Sequence, residues 1–453
     1  MQLRPLVLAL TLAGAATAHA AAPPAKPSQN RIDALEARIK ALEANAEAMR
    51  QQAEAATAAL EATRVEMEAL KQTNSVASGS PDGAGDSSNA EAPSTSQESA
   101  NGNAFNPAIS IILNGSYTGH SLDPDNYQRS GFPLVGEGGP SARGFSLGES
   151  EVSFAANIDD RFYGQLTLAL GSEEGAVGVE EAFVDTSSLP GGLNLRVGRF
   201  FSGIGYLNSH HAHTDKFFDR PLPYQAFLGN QYGDDGVQLR WVAPTDTFLE
   251  FGAEIFRGDS FPAAGGGHGG AGTHTLFAHA GGDIGDETAW LAGLSVLDTR
   301  SEGSEDGFTG DSRLYIADAT WKWAPQGNFK DGGVTLRGEY FLEDRDGEYF
   351  DPQAESSTAW NGRRRGAYLE TVYRINRSWE AGYRFDRLWN GSGSPIAGNF
   401  DPRRSSIMLS WLNSEFSLLR LQLSHDQPND ADTDNTVTLQ YQMSLGAHGA
   451  HKF

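Results

Sequence analysis

Residues 104–453 repeat one short pattern, in which apolar side chains alternate with polar or small ones, and this pattern restricts the fold more than any other feature. One example is the run Ile109, Ile111 and Leu113, with the polar Ser110 and Asn114 on the other face. A period of two residues is that of a β-strand with one apolar face. We count sixteen such segments, and an even number suits a closed antiparallel barrel. They begin near Ala108, Leu147, Phe162, Val177, Leu193, Gly236, Thr247, Thr275, Thr288, Arg313, Val334, Gly366, Trp379, Ser405, Phe416 and Thr436.

The connections between these segments alternate in length. Short turns, as at 159–161, 189–192 and 243–246, are interleaved with longer loops that are rich in Gly or in acidic residues. Short turns on one rim and long loops on the other are typical of an outer-membrane barrel. A water-soluble all-β protein would bury its apolar face in a common core and would need no such asymmetry. The sequence therefore predicts an all-β transmembrane barrel of about 16 antiparallel strands.

The last segment keeps its period of two as far as the final residue. Counting back from Phe453 in steps of two reaches Leu445, Met443, Tyr441 and Leu439 on one mostly apolar face. A terminal aromatic residue on such a strand resembles the signal by which the bacterial barrel-assembly machinery recognises its clients. The resemblance makes Phe453 the expected assembly signal and the outer membrane of a Gram-negative cell the expected location.

The amino-terminal part has a different composition. Residues 1–20 combine an early positive charge, an apolar run and a small-residue ending, which indicates a secretory signal peptide. Residues 28–72 carry apolar or small side chains at heptad spacing, beginning with Ile32 and Leu35, and they predict an α-helical coiled coil in the periplasm. A seam of this kind implies partner chains, although a solvated, Ala-rich single helix is the alternative. Residues 73–103, rich in Ser, Gly and Asn, indicate a flexible linker to the barrel.

The overall composition excludes several classes of function. The chain has no Cys, which excludes disulfides, thiolate metal sites and cysteine nucleophiles. It carries 58 Asp and Glu against 34 Lys and Arg, and this acidic balance argues against a nucleic-acid partner. No nucleophile elbow, paired-carboxylate motif or phosphate-binding Gly loop occurs in a convincing context, so we expect no enzymatic activity.

The predicted signal peptide, coiled coil, linker and barrel together resemble the bacterial porins. Residues 193–200 look like the strand before the constriction loop of phosphate-selective porins, and residues 205–213 and 219–224 look like outer-membrane proteins labelled zinc-regulated receptors. The porin resemblance implies a homotrimer and a passive diffusion channel. Phosphate-selective porins line their channel with Lys and Arg, whereas residues 104–453 hold 26 basic residues and 46 acidic ones. We therefore expect a slight preference for cations.

Strand parity predicts which charged side chains line the lumen of the barrel. They are Glu149, Glu151, Arg196, Arg240, Glu250, Glu254, Arg337, Glu339, Glu370, Arg374, Glu380, Arg384 and Arg420. Opposed acidic and basic groups would produce a transverse field that orients polar solutes. The alternative for each residue is an ion pair that stiffens the barrel wall.

The connection from Ser202 to Asp235 is the third long loop, and porin constriction loops occupy that position. It holds His210, His211, His213 and Asp215, and imidazoles with a nearby carboxylate suit Zn²⁺ or a similar divalent ion. Histidines that are solvated or bonded to backbone are the alternative. The apolar residues that would pack this loop against the wall are Phe217, Phe218, Leu222, Tyr224 and Phe227.

The expected function is that of an outer-membrane porin, a passive channel for small hydrophilic solutes or ions. Its expected partners are outer-membrane lipid, the barrel-assembly machinery and two further copies of the chain, and no cofactor is expected apart from the possible divalent ion. One alternative is an uptake protein linked to zinc or another divalent metal. Another is a structural tether, in which the coiled coil connects the outer membrane to the cell wall.

Overall fold

A computed structural model describes residues 107–148, 150–171, 177–187, 189–264, 270–351, 354–391, 394–396 and 398–446. The predicted signal peptide, coiled coil and linker, together with Glu149 and Phe453, lie outside the described residues. Among the residues described, we find no helix whose length and apolar character would let it cross a membrane.

The regular secondary structure of the described residues is almost entirely β-strand. The strands are β1 (Ala108–His120), β2 (Gly144–Ser146), β3 (Ser150–Asn157), β4 (Phe162–Leu170), β5 (Val177–Thr186), β6 (Leu193–Phe201), β7 (Gly233–Val242), β8 (Phe248–Phe256), β9 (Thr273–Ile284), β10 (Thr288–Glu302), β11 (Phe308–Trp323), β12 (Gly333–Asp351), β13 (Ser356–Asn376), β14 (Trp379–Trp389), β15 (Arg403–Ser414), β16 (Ser417–Gln427) and β17 (Asp434–Gly446). One short helix, α1 (Leu222–Phe227), lies between β6 and β7.

The strands form one closed barrel. From β3 onwards each strand pairs antiparallel with the next, and β17 pairs with β1, so that Ser110 lies opposite Gly446 and His120 lies opposite Thr436. The first half of β1 pairs with β3, whereas its second half pairs with the three-residue β2. Because β2 and β3 share one place beside β1, the barrel has sixteen long strands, as the sequence predicts.

The connections also alternate as predicted. Turns at 158–161, 285–287 and 377–378 occupy one rim, and loops at 202–232 and 390–402 occupy the other. Both β1 and β17 have their free ends on the short-turn rim. Some strands are longer than the segments of about ten residues that periodicity indicates. For example, β12 pairs with β13 from Gly333 to Asp351.

The two faces of the wall have opposite character. Along β12, Arg337 and Glu339 are buried, whereas Leu336 and Tyr340 are 38% and 42% exposed. Large apolar side chains are also exposed on the outward face of other strands, and Leu294 on β10 is 68% exposed. Exposed charged pairs, such as Arg313 with Asp298, lie nearer the long-loop rim. A broad area of exposed apolar side chains is the reverse of the arrangement in water-soluble proteins and matches a lipid-facing barrel.

Aromatic side chains gather near the short-turn rim on the outer face. Trp241, Trp321, Trp379 and Trp411 are each about two-fifths exposed, and the rings of Trp379 and Trp411 stack with their centroids 6.4 Å apart. Amphipathic rings at one level of a barrel match the aromatic girdles that lie at a membrane interface. This rim is therefore expected to lie at a lipid headgroup region.

Candidate functional site

The loop between β6 and β7 folds into the lumen. Within it, a 3₁₀ turn covers Ala212–Thr214 and is followed by α1, and all six residues of α1 are buried. Pro223 at the start of α1 suits a helix because its fixed φ is already helical and its missing N–H would have no partner there. The ring of Phe227 lies parallel to Phe341 of β12 at 5.9 Å and edge-on to Phe132 at 5.7 Å. The loop therefore packs through an apolar core that it shares with inward-facing apolar side chains of the wall, such as Phe341.

A glycine in the wall leaves room for this helix. A Cβ atom on Gly366 of β13 would lie 2.8 Å from the Phe227 ring and 3.0 Å from the Cβ atom of Pro223. Contacts under 3.0 Å force a neighbour to move, and the neighbours here are a buried ring and a proline. A side chain at this position would displace α1 from the wall.

Glu339 of β12 is an anchor for the loop. Its carboxylate accepts hydrogen bonds from the Tyr224 hydroxyl at 3.0 Å, from the Tyr368 hydroxyl at 2.7 Å and from the backbone N–H of Tyr206 at 3.1 Å. Buried carboxylates with several donors are well satisfied, and charge-assisted hydrogen bonds are the strong ones. Glu339 is one of the residues that strand parity predicts in the lumen, and the structure shows it bonded to the loop.

Two arginines on the same side of the barrel hold the end of the loop. Arg384 of β14 donates to the Asp219 carboxylate at 2.9 Å, and Arg404 of β15 lies 2.8 Å from its other oxygen. Burial alone would raise the pKa of Asp219, but the charges of Arg404 and Arg384 outweigh it and lower the pKa to about 2. Arg420 of β16 also donates to the backbone carbonyl of Asp215 at 2.8 Å. Ion pairs and a hydrogen bond thus hold this end of the loop against β14, β15 and β16.

The arginines of the lumen are concentrated in one sector. All buried arginines of the described strands lie on β12 to β16, and they are Arg337, Arg345, Arg364, Arg384, Arg404 and Arg420. Several have a carboxylate partner, as in Arg337 with Glu370 at 2.9 Å and Arg364 with Glu343 at 2.7 Å. We call β12 to β16 the arginine sector. Among the described residues, the opposite strands, β3 to β8, bury no arginine but bury acidic residues, and we call them the acidic sector; these residues are Glu151, Glu181, Asp234 and Glu254.

The structure places the predicted lumen residues as follows. Those that are buried are Glu151, Glu254, Arg337, Glu339, Glu370, Glu380, Arg384 and Arg420, and those that are partly buried are Arg196, Arg240, Glu250 and Arg374. Further arginines of this set lie beside carboxylates of the same or a neighbouring strand, as in Arg196 with Asp185 at 2.8 Å and Arg240 with Glu250 at 3.5 Å. Ion pairing along the wall, which the sequence left as an alternative, is therefore extensive.

Two cavities lie on either side of the inserted loop. One of about 260 Å³ opens towards the long-loop rim, where His120 and Asp434 line it. One of about 550 Å³ opens towards the short-turn rim, where Glu415 and Ser444 line it. Both cavities reach Asp215, and polar side chains of β16 and β17 line both. Polar cavities therefore lie on both sides of the inserted loop, and Asp215 lines each of them.

Two of the predicted metal-binding residues come together with a wall carboxylate. His213 Nδ1 lies 2.8 Å from one oxygen of Glu151 on β3, and His211 Nδ1 lies 3.1 Å from the other. His211 also lies 3.3 Å from Glu180 and 3.0 Å from Glu181 of β5. Burial alone would lower the pKa of His211, but the three carboxylates outweigh it and raise the pKa well above its ordinary value.

The other two predicted ligands lie elsewhere, which corrects the composition of the predicted set. The ring of His210 stacks on Tyr206 with centroids 4.7 Å apart, and its Nδ1 lies 2.7 Å from the Tyr206 carbonyl oxygen. Asp215 is buried and lies 2.7 Å from Arg220. The physical reason is the 3₁₀ turn, which carries His211 and His213 to the β3 side and turns Asp215 towards the arginine sector.

Comparison with known proteins gives a family and a fold. No family model matches the chain. An uncharacterized protein of Aquifex aeolicus is 30% identical over 389 residues, which covers 77% of this chain and 80% of the Aquifex protein. The chain belongs to the same family as this Aquifex protein.

Solved structures resemble the barrel at low sequence identity. OmpT of Vibrio cholerae in its trimer form aligns with a TM-score of 0.51 and 12% identity, over 75% of this chain and 99% of OmpT. The outer-membrane channel DcaP of Acinetobacter baumannii gives 0.50 and 11%, over 75% and 97% of the two chains. An anion-selective porin from Comamonas acidovorans gives 0.50 and 10%, over 75% and 99%. At such identities the likeness establishes the fold, which is that of outer-membrane porins.

Three charged residues that face the lumen or the loop were not predicted from the sequence. Arg345 and Arg364 have the inward parity of Arg337 and Glu370, but they lie beyond segments of about ten residues, so longer segments would have included them. Glu180 was missed for another reason. A bulge leaves it without a partner on β4, since Thr167 pairs with Glu181 and Leu168 pairs with Val179. Bulges break the alternation of faces, and nothing in the sequence marks this one.

Proposed function

We propose that this protein is an outer-membrane porin, a passive diffusion channel for small hydrophilic solutes with a slight preference for cations. The observation that carries the proposal is a closed barrel with an apolar outer face whose lumen holds polar cavities on both sides of the inserted loop. A closed barrel leaves no strand edge in lipid. A loop folded into the lumen restricts passage to small solutes. The charged residues of the lumen are the lining of the channel in this proposal.

The cation preference follows from charge. Residues 104–453 hold 46 acidic residues against 26 basic ones, and such a balance concentrates cations at the mouths of a channel. The arginines of β12 to β16 act in the other direction, but most of them have carboxylate partners that cancel their field at a distance. We therefore expect a weak preference, reduced further by salt.

Location and assembly belong to the same proposal. The outward apolar face and the tryptophans near one rim support insertion in the outer membrane. A homotrimer is supported by likeness of fold to OmpT of Vibrio cholerae, which is described in a trimer form. Recognition of Phe453 by the barrel-assembly machinery and a periplasmic coiled coil at 28–72 complete this picture.

Single cysteines test the channel directly, because the chain has no Cys of its own. Ser444 and Leu445 are neighbours on β17, and Ser444 lines the larger cavity whereas Leu445 is 42% exposed on the outer face. Purified Ser444→Cys and Leu445→Cys proteins would be reconstituted in planar bilayers and treated with a charged methanethiosulfonate. We expect stepwise conductance in both and a fall in conductance after treatment of Ser444→Cys alone.

Other results would overturn parts of the proposal. A protein that inserts but gives no conductance steps is not a porin. Equal effects of the reagent at the two positions would show that the lumen has been assigned to the wrong side of β17. A reversal potential that favours chloride over potassium in a KCl gradient would refute the cation preference.

A further inference from the structure

Five ionisable side chains meet where the inserted loop touches the acidic sector of the wall. They are Glu151 of β3, Glu180 and Glu181 of β5, and His211 and His213 of the loop. The two imidazole rings lie nearly parallel, with centroids 5.6 Å apart. The cluster thus joins two strands to a loop that is far from them in sequence.

Three of these residues have the geometry of a metal site. One ligand atom from each of Glu151, His211 and His213 lies within 4.8 Å of the other two. Glu151 is 1% exposed and His213 is 9% exposed, so the site is largely shielded from water. Two imidazole nitrogens and a carboxylate oxygen form a donor set that suits Zn²⁺ and neighbouring transition metals, with further positions open.

Three carboxylates crowd around one imidazole in this cluster. His211 Nδ1 lies 3.1 Å from Glu151 and 3.3 Å from Glu180, and its Nε2 lies 3.0 Å from Glu181. One ring nitrogen thus faces two carboxylate oxygens, whereas a metal ion can be bound by several oxygens at once. Three carboxylates around two imidazoles also leave an excess of negative charge, which a divalent ion would reduce.

The bulge in β5 places the fourth donor. Strict alternation would put Glu180 and Glu181 on opposite faces of β5. Because the bulge leaves Glu180 unpaired with β4, both carboxylates approach the same imidazole. Bulges are often found beside functional sites, where they redirect one side chain.

We propose that Glu151, His211 and His213 bind one divalent transition-metal ion, with Glu180 as an additional oxygen ligand, and that this ion fastens the inserted loop to β3 and β5. The ion neutralises most of the surplus charge of the three carboxylates. The loop is then held on both sides of the lumen, by the ion here and by arginines on β14 and β15.

The ion would regulate the channel, a consequence that rests on the proposed function. His213 lies two residues before Asp215, which both cavities reach. Fixing the loop at His213 restricts the movement of Asp215 between the two cavities that it lines. The metal-bound channel is therefore expected to show a steadier and lower conductance than the metal-free one.

Zn²⁺ is the probe for the binding test. The full chain, purified without a polyhistidine tag and stripped with a chelator, would be titrated with Zn²⁺ by calorimetry, and bound metal would be measured by mass spectrometry. We expect one equivalent per chain. The Glu151→Gln variant keeps the shape of the side chain but removes its charge and one acceptor oxygen, and His213→Ala removes a loop ligand. Each should weaken binding by at least roughly tenfold, since even outer partners of a metal site change affinity by that factor.

His279 provides a matched control. It is a partly buried histidine that lies 3.3 Å from Glu250 on the neighbouring strand. Among the residues that the structure describes, the cluster of three potential ligands consists of Glu151, His211 and His213 and does not include His279. The His279→Ala variant should therefore bind Zn²⁺ as the parent does. Equal loss in His279→Ala and His213→Ala would refute the assigned ligands.

The two hypotheses fail in different ways. If the chain conducts but binds no Zn²⁺, the cluster is an ion-pair network and the metal proposal is wrong while the porin proposal stands. If the chain binds one Zn²⁺ through the named ligands but gives no conductance, the site stands and the channel does not. Binding without any change of conductance would refute only the regulatory role.

Discussion

Replacing Asp219 by Asn should loosen the inserted loop inside the barrel. The Asp219 carboxylate contacts Arg384 at 2.9 Å and Arg404 at 2.8 Å, and it accepts a hydrogen bond from Gln422 at 2.7 Å. The same Gln422 accepts from the backbone N–H of Phe218 at 2.8 Å. An amide at residue 219 would keep the shape of the side chain but remove the charge that these two guanidinium groups share.

The free energy by which the Asp219 carboxylate stabilises the loop can be estimated in two ways. Removing one partner of a buried ion pair costs about 3 to 5 kcal/mol, and the 25% exposure of the Asp219 side chain places it at or below the lower end. The fall of the Asp219 pKa from its ordinary 3.8 to about 2 corresponds to about 2 to 3 kcal/mol in favour of the ionised form. Both routes give a few kcal/mol. We therefore expect the free energy of local opening of this segment to fall by about 2 to 3 kcal/mol.

Hydrogen exchange followed by mass spectrometry measures this opening. The exchange rate of the amides in peptides covering 215–220 should rise roughly 30- to 150-fold, while amides in the strand ladder should not change. Asp235→Asn is the control, because Asp235 lies 2.7 Å from Arg199 in an exposed pair. Exposed pairs contribute at most about 1 kcal/mol. Similar exchange in the two variants, or no change in Asp219→Asn, would refute this account of the loop.

Three further predictions concern acidity, packing and assembly. Because the folded-state pKa of Asp219 is depressed, its contribution to stability is full above its ordinary pKa of 3.8 and is lost as pH falls through about 2, so exchange of the amides at 215–220, corrected for intrinsic rates, should rise as pH falls from 3.8 towards 2. Gly366→Val should displace Phe227 and speed exchange in α1 by the equivalent of about 1 to 3 kcal/mol, whereas Gly115→Val, with nothing within 4 Å, should not. Deleting 28–72 should lower the temperature at which the oligomer dissociates in unboiled gels while leaving a folded barrel, and an unchanged oligomer would show that this segment does not join chains.

The barrel could be predicted from sequence because its physics is local. Lipid outside the barrel and polar groups inside it impose a period of two on every strand. The residue types of Leu336 and Arg337 therefore indicate that the first faces outwards and the second inwards. Turn lengths report the rim on which each connection lies. Both signals are repeated along the chain, and the count of sixteen strands therefore survives errors of several residues at strand ends, as at β7, which begins at Gly233 and not near Gly236.

The interior of the barrel could be predicted only in part, because its contacts join residues that are distant in sequence. Apolar residues in a long loop indicated packing, and Phe227 does pack, but its partners Phe132 and Phe341 come from the first long loop and from β12. Histidine spacing indicated a ligand cluster. The spacing did not indicate that a bulge in β5 turns Glu180 towards this cluster, or that a 3₁₀ turn directs Asp215 away from it. Neither irregularity has a sequence signature at these positions.

The charges of the loop are complementary to the two sectors of the wall between which it lies. Its histidines come first in the chain and meet the acidic sector at Glu151, and its aspartates come next and meet the arginine sector at Arg384. A loop that was reversed in the lumen would bring Asp219 against Glu151, and among the described residues it would leave Arg384 and Arg404 with only Asp386 as a shared carboxylate partner. Buried like charges and incompletely paired ions are both costly. The order of charges along the loop therefore selects one orientation across the lumen, and in that orientation Asp215 lines the cavities on both sides of the loop.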